Sequence, residues 1–141
     1  MSRVYWDSMI FVYWVEGHPV CGARVEHILQ SMLRRGDRLC ASYLCMGEVL
    51  TGLLKHKFTT QAAKVRQLFD SEGIEILQFD RRAAEQFAEL RATTNVSPAD
   101  AIHLACAASS GVDLFITHDK TLHKLRVDGI QFIAGLDVNV L

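Results

Sequence analysis

Residues 97–122 read SPADAIHLACAASSGVDLFITHDKTL. Ser97 before Pro98 announces a helix, because serine is a favoured N-cap and proline is accommodated at the first helical position. The small-residue run that follows extends to about Ser110, and Gly111 closes it. Residues 114–117 (LFIT) read as a β-rich strand running into Asp119, and residues 120–125 as a short helix. A helix feeding a strand, with an acid just past the strand end, is the layout of an open parallel sheet. In such sheets ligands gather at the carboxyl ends of the strands.

The same alternation continues outward. Residues 81–92 read as a helix with Asp80 as its N-cap, and residues 74–79 (IEILQF) as a strand with period-two alternation. Residues 60–71 form a helix with Ala62, Val65, Leu68 and Phe69 on its apolar face. Ser42 caps a helix through Lys55, which follows a short strand at 39–41. Residues 20–35 are amphipathic, with Val25, Ile28, Leu29, Met32 and Leu33 on one side and Gly36 as C-cap. Gly17, His18 and Pro19 separate them from a helix at 8–15, itself preceded by a first strand at 4–6. Residues 130–133 give a last strand. The pattern predicts an α/β fold with a mainly parallel sheet of four to five strands.

Four acids stand out in this layout. Asp7 is the only charge in residues 4–15, and Glu48 the only charge in 39–54; Asp100 opens the small-residue helix and Asp119 ends a strand run. A buried carboxylate without a partner is costly, so such acids are paired, capped or bound to a cation. Three have local explanations. Asp100 sits at the third helical position of a capping box, and Asp7 and Asp119 each precede a helix. Glu48 is mid-helix, and Leu44, Cys45, Thr51 and Gly52, one turn away, carry no positive charge. A strand end, a mid-helix position, a helix first turn and a second strand end can share one rim of a parallel sheet. Other acids read as structural: Asp80 as a cap, Asp113 in the turn before the strand at 114–117. His103 lies three residues after Asp100 on the same helix face, where a packed or hydrogen-bonded histidine is the commoner reading.

Composition narrows the function. The 141 residues fit one domain, 1–141, and half are hydrophobic, enough for a core. Net charge is −1, so a polyanion would be held by local patches and a metal, not a global field. Four cysteines occur without CxxC pairs, and no Cys/His cluster has zinc-ligand spacing. The N-terminus lacks a signal-peptide layout, and the apolar run ending at Glu16 is too short for a membrane span, which leads to the expectation of a cytoplasmic protein.

Three pieces together resemble the PIN domain family, the fold of the VapC-like toxin ribonucleases: Asp7-Ser8 after the first strand, Glu48 within SYLCMGEVLTGL, and the whole of residues 97–122. The resemblance covers nearly the whole chain and departs at His118, where many relatives carry Asn. It implies a three-layer α/β/α sandwich in which Asp7, Glu48, Asp100 and Asp119 hold Mg²⁺ or Mn²⁺, with Ser8 and Thr117 in support. It further implies an endoribonuclease, the toxin of a type II toxin–antitoxin pair. Its partners would be RNA, an antitoxin covering the cleft from helices 43–55 and 60–70, and a second copy in a homodimer. Hard divalent cations prefer such oxygen ligands, and a metal suits phosphodiester hydrolysis without a side-chain nucleophile. Arg81-Arg82, Lys120 with Lys124, and Lys55-His56-Lys57 are candidate phosphate contacts.

Two other readings stay open. A PIN nuclease of RNA processing has the same chemistry. A non-catalytic receiver-like α/β module also places an Asp at a strand end, but Asp7 stands alone where an acidic pair is expected, and Glu48 would have no role. No Gly-rich phosphate loop follows the first strand, which disfavours a dinucleotide site.

Overall fold

Alternation along the strands decides which helices cover which face. In the computed structural model, which describes residues 1–137, β1 (Arg3–Trp6) is the centre of a five-stranded sheet. Its order is β3-β2-β1-β4-β5 with β2 (Arg38–Ala41), β3 (Glu75–Ile76), β4 (Val112–Ile116) and β5 (Ile130–Ala134). Every pairing is parallel. Val4 and Trp6 of β1, Leu39 and Ala41 of β2, and Leu114 and Ile116 of β4 point to one face. There they pack against α1 (Ser8–Glu16), α2 (Cys21–Arg35), α3 (Tyr43–Lys55) and α4 (Thr59–Asp70). Tyr5, Cys40 and Phe115 point the other way, against α5 (Arg81–Thr93) and α6 (Pro98–Ser110). The three inner strands, β1, β2 and β4, are buried on both faces, as a sheet covered by crossover helices requires, while the edge strands β3 and β5 are partly exposed. The result is a three-layer α/β/α sandwich. The last four positions of the expected unit 1–141 lie outside the described residues.

The connections set the site. From β1 the chain crosses to β2 on one side, while β4 pairs with β1 on the other, so the crevice between β1 and β4 is the topological switch point. The register pairs Trp6 with Ile116, and Asp7 N–H continues the ladder to the Ile116 carbonyl at 3.0 Å. Asp7 and Thr117 therefore leave the sheet side by side. Gly22 lets α2 close on α1: a Cβ there would meet the Tyr13 carbonyl oxygen at 2.9 Å.

Several expectations need correction. The strand read at 74–79 pairs only at Glu75–Ile76, although Leu77 N–H still reaches the Ala41 carbonyl at 2.8 Å; β3 is an edge, and the chain turns off it toward Asp80. Asp113 is not in a turn but within β4, where its carboxylate accepts from Arg3 N–H at 2.8 Å. The helix read at 120–125 is one 3₁₀ turn, Leu122–Lys124. Leu33, expected on the apolar side of α2, is 63% exposed, while its neighbour Met32 takes the buried position in that turn.

Candidate active site

Four N-caps fix the backbone around the switch point. Asp7 begins α1 and accepts from Ser8 N–H, Ser42 begins α3 and accepts from Cys45 N–H, and Ser97 begins α6 and accepts from Asp100 N–H. Asp80 caps α5 through Ala83 N–H. Asp119 does not cap a helix. Its Oδ1 accepts from both N–H and hydroxyl of Thr121, at 2.9 and 2.6 Å, closing a tight turn that aims residues 117–121 along the rim.

Asp7 is held at both oxygens. Ser8 N–H donates to Oδ1 at 2.7 Å, and the fully buried Thr117 hydroxyl donates to Oδ2 at 2.8 Å. The same Thr117 oxygen accepts from Asp119 N–H at 3.1 Å, so one side chain ties Asp7 to the Asp119 turn. Glu48 is joined from the other side: the Ser8 hydroxyl donates to its Oε1 at 2.6 Å. The structure thus brings Ser8 and Thr117 into contact with the candidate acids, one on each side of Asp7.

The largest addition to the sequence reading is a buried polar chain beneath Glu48. His103 is 2% exposed; its Nε2 lies 2.5 Å from Glu48 Oε1 and 3.3 Å from Ser8 Oγ. Its Nδ1 lies 2.7 Å from the Tyr5 hydroxyl, which lies 2.9 Å from Ser42 Oγ. Burial holds the Tyr5 hydroxyl well above its usual pKa, so it stays protonated. In the neutral ring Nε2–H donates to the carboxylate, Nδ1 accepts from Tyr5, and Ser42 donates to Tyr5. Each side-chain polar atom of Tyr5 and His103 then has a partner, which is what a low-dielectric interior demands. The packed, hydrogen-bonded reading of His103 holds, but its partners belong to the site. Tyr5 gave no signal beyond a polar tip inside an apolar strand, and Ser42 was legible only as a cap. His103 also stands beside Ser8, as a serine nucleophile would need. However, Nε2–H is directed at Glu48 and Nδ1 is taken by Tyr5, so His103 has no free nitrogen for the Ser8 proton, which goes to Glu48.

The electrostatics divide the acids. The hydrogen bond from His103 holds Glu48 below the usual carboxylate range, against burial and with help from Ser8. Burial raises Asp100, and the charges of Asp7 and Asp119 raise it further, while Ser97 and His103 oppose. Asp119 is lowered by the Thr121 hydroxyl and N–H. Asp100 therefore senses the charges of Asp7 and Asp119 across the crevice. Among the described residues, no three His, Cys, Asp or Glu side chains stand close enough to enclose a metal ion. The donor set still suits a hard cation. Mg²⁺ keeps several waters and takes only one or two carboxylates, and a cation would relieve the repulsion that raises Asp100.

The candidate basic groups separate as well. Arg82 shares a cavity with Glu85, Glu89 and Asp128, which offset its charge. Lys120 shares one with Arg24, His118 and His123 beside the acidic rim. No helix among the described residues is long and apolar enough to cross a membrane.

An open parallel sheet with Asp7 and Thr117 side by side where β1 and β4 diverge defines the class. The family model of the PIN domain matches residues 4–128, and the chain belongs to that family. No curated protein sequence matches it. Solved structures with the same fold include VapBC2 from Rickettsia felis bound to a DNA fragment from its promoter, at TM-score 0.74 and 17% identity over 94% of this chain and 98% of that one. A second is Mycobacterium tuberculosis VapC20, a Sarcin-Ricin loop cleaving toxin, at TM-score 0.72 and 14% identity over 87% and 96%. A third is a toxin–antitoxin complex from Klebsiella pneumoniae, at TM-score 0.67 and 19% identity over 90% and 94%.

Proposed function

We propose that this protein is a divalent-metal-dependent endoribonuclease and the toxin of a type II toxin–antitoxin pair. The observation that carries the reading is Asp7: fixed at both oxygens by Ser8 and Thr117, it stands at the switch point and raises Asp100 by its charge. Asp7, Glu48, Asp100 and Asp119 would hold Mg²⁺ or Mn²⁺. When bound, such a cation lowers the pKa of water and neutralises charge on a phosphodiester. The chain's own groups do the positioning. Thr117 couples Asp7 to the Asp119 turn, and Ser8 with His103 fixes the Glu48 carboxylate in one orientation. Preorganised carboxylates need no rearrangement when the phosphate arrives, which is where electrostatic catalysis gains most.

Membership of the PIN family and the toxin–antitoxin complexes among the structural neighbours support RNA as substrate and an antitoxin as partner. Trp14, Val15, Val65 and Leu68 line a cavity of about 460 Å³ between α1 and α4, a fitting seat for an apolar antitoxin segment. A homodimer follows from the same analogy, and residues 1–141 act as one nuclease unit. The cytoplasm, where RNA is met, is the expected compartment. A PIN nuclease of RNA processing has identical chemistry and differs only in its partner. Regulated expression separates them. Wild type should arrest growth and fragment cellular RNA, Asp7→Asn should do neither, and an adjacent small reading frame should relieve the arrest. Normal growth and intact RNA, with folded wild-type protein accumulating, would remove the toxin assignment.

A further inference from the structure

Beside the acidic rim a cavity of about 200 Å³ opens between the start of α2 and the segments that follow β4 and β5. Arg24, Lys120, His118 and His123 stand around it, and Val20 and Leu136 give it apolar surface. Asp137 also lines it, so the cavity is cationic but not uniformly so. Its size falls below the roughly 300–1,000 Å³ of ordinary small-molecule sites. It suits a fragment of a longer ligand better than a free cofactor.

Three contacts join this cavity to the acids. His123 Nε2–H donates to the Thr117 carbonyl at 2.9 Å, and the Thr117 hydroxyl holds Asp7. The charge of His123 is felt at Asp119. The His118 ring packs edge-on against Tyr13 of α1, with centroids 5.3 Å apart, pinning the loop after β4 to the helix that Asp7 caps. The wall is close-fitting: a Cβ on Gly135 would lie 2.9 Å from His123 Cε1. Among the described residues neither Arg24 nor Lys120 makes an ion pair. Two unpaired cations over an apolar surface, one short loop from a site that handles phosphodiesters, match the two halves of a nucleotide.

We infer that this cavity seats one nucleotide of an RNA strand, next to the phosphodiester that is cut, with Arg24 and Lys120 on its phosphate and the apolar surface of Val20 and Leu136 against its base. The inference rests on the ribonuclease reading and gives that site its substrate contact. It is tested by titrating fluorescein-labelled single-stranded RNA of mixed sequence with the full chain in EDTA, where binding is read without cleavage. The pair Arg24→Ala and Lys120→Ala should weaken binding at least about five-fold and reduce the salt slope by about 0.7, the value for one phosphate contact on a single strand. Removing two charges elsewhere, by Arg34→Ala and Arg66→Ala, should leave binding within about two-fold. A 5′-mononucleotide should displace the labelled strand at a lower concentration than inorganic phosphate does. Equal binding by wild type and the Arg24/Lys120 variant, equal loss in both double variants, or equal potency of phosphate and mononucleotide would overturn it. Cleavage with Mn²⁺, run in parallel, separates the two claims. Binding through Arg24 and Lys120 without cutting keeps the cavity and discards the nuclease; cutting without dependence on these residues does the reverse.

Discussion

At the residue level, the acids differ in what they contribute to stability. Glu48 is lowered by donors, so its charge stabilises the protein above an unfolded value of about 4.3, and that contribution is lost as pH falls through the lower folded value. Urea unfolding should show wild type more stable than Glu48→Gln above pH 5, with the gap closing below pH 4. Asp100 has the opposite sign. Its charged form is disfavoured by burial and by Asp7 and Asp119, so it costs stability at neutral pH. Asp100→Asn should therefore raise the Tm of the metal-free protein and remove most of the rise that Mn²⁺ gives wild type by mass action. His103 is a positioning residue acting through Glu48. His103→Ala should lower kcat about ten-fold with KM little changed, and shift the acid limb of the pH–rate profile, because Glu48 loses the donor that depresses it. An unshifted profile with kcat reduced would make His103 merely structural.

At the level of elements, the helix signals were the most legible. Ser97-Pro98 and Gly111 bracketed α6, and Ser42 and Asp80 marked α3 and α5, because capping is local chemistry written in adjacent residues. Ser97→Ala should cost about 1 kcal/mol in urea unfolding, the ordinary value of such a cap. It should also lower cleavage, because the cap sets the first turn that presents Asp100. The strand at 74–79 was overread because alternation does not reveal that an edge strand meets its neighbour over only two residues. Asp113 was misplaced for a related reason: its partner is Arg3 N–H, 110 positions away. The Tyr5–His103–Glu48 chain was invisible on the same ground, since its members come from β1, α6 and α3 and meet only through tertiary packing.

At the level of the molecule, an acidic rim in a protein of net charge −1 leaves RNA to be held by local cations. Binding should then weaken steeply with salt, and Arg24 and Lys120 should carry a measurable share of that slope. The candidate acids are all named from sequence, but what surrounds each depends on strand order. Asp7 and Thr117 are neighbours only because β4 pairs with β1. The most direct test of the account is cleavage of a mixed RNA pool by the purified chain with Mn²⁺, Mg²⁺ or EDTA, comparing wild type with Asp7→Asn and Asp100→Asn and checking each fold by circular dichroism. Wild type should cut with metal and not in EDTA, and both folded variants should lose at least about a hundred-fold, the scale on which removing an electrostatic catalytic group is felt. Full activity in both variants, or undiminished cutting in EDTA, would contradict it.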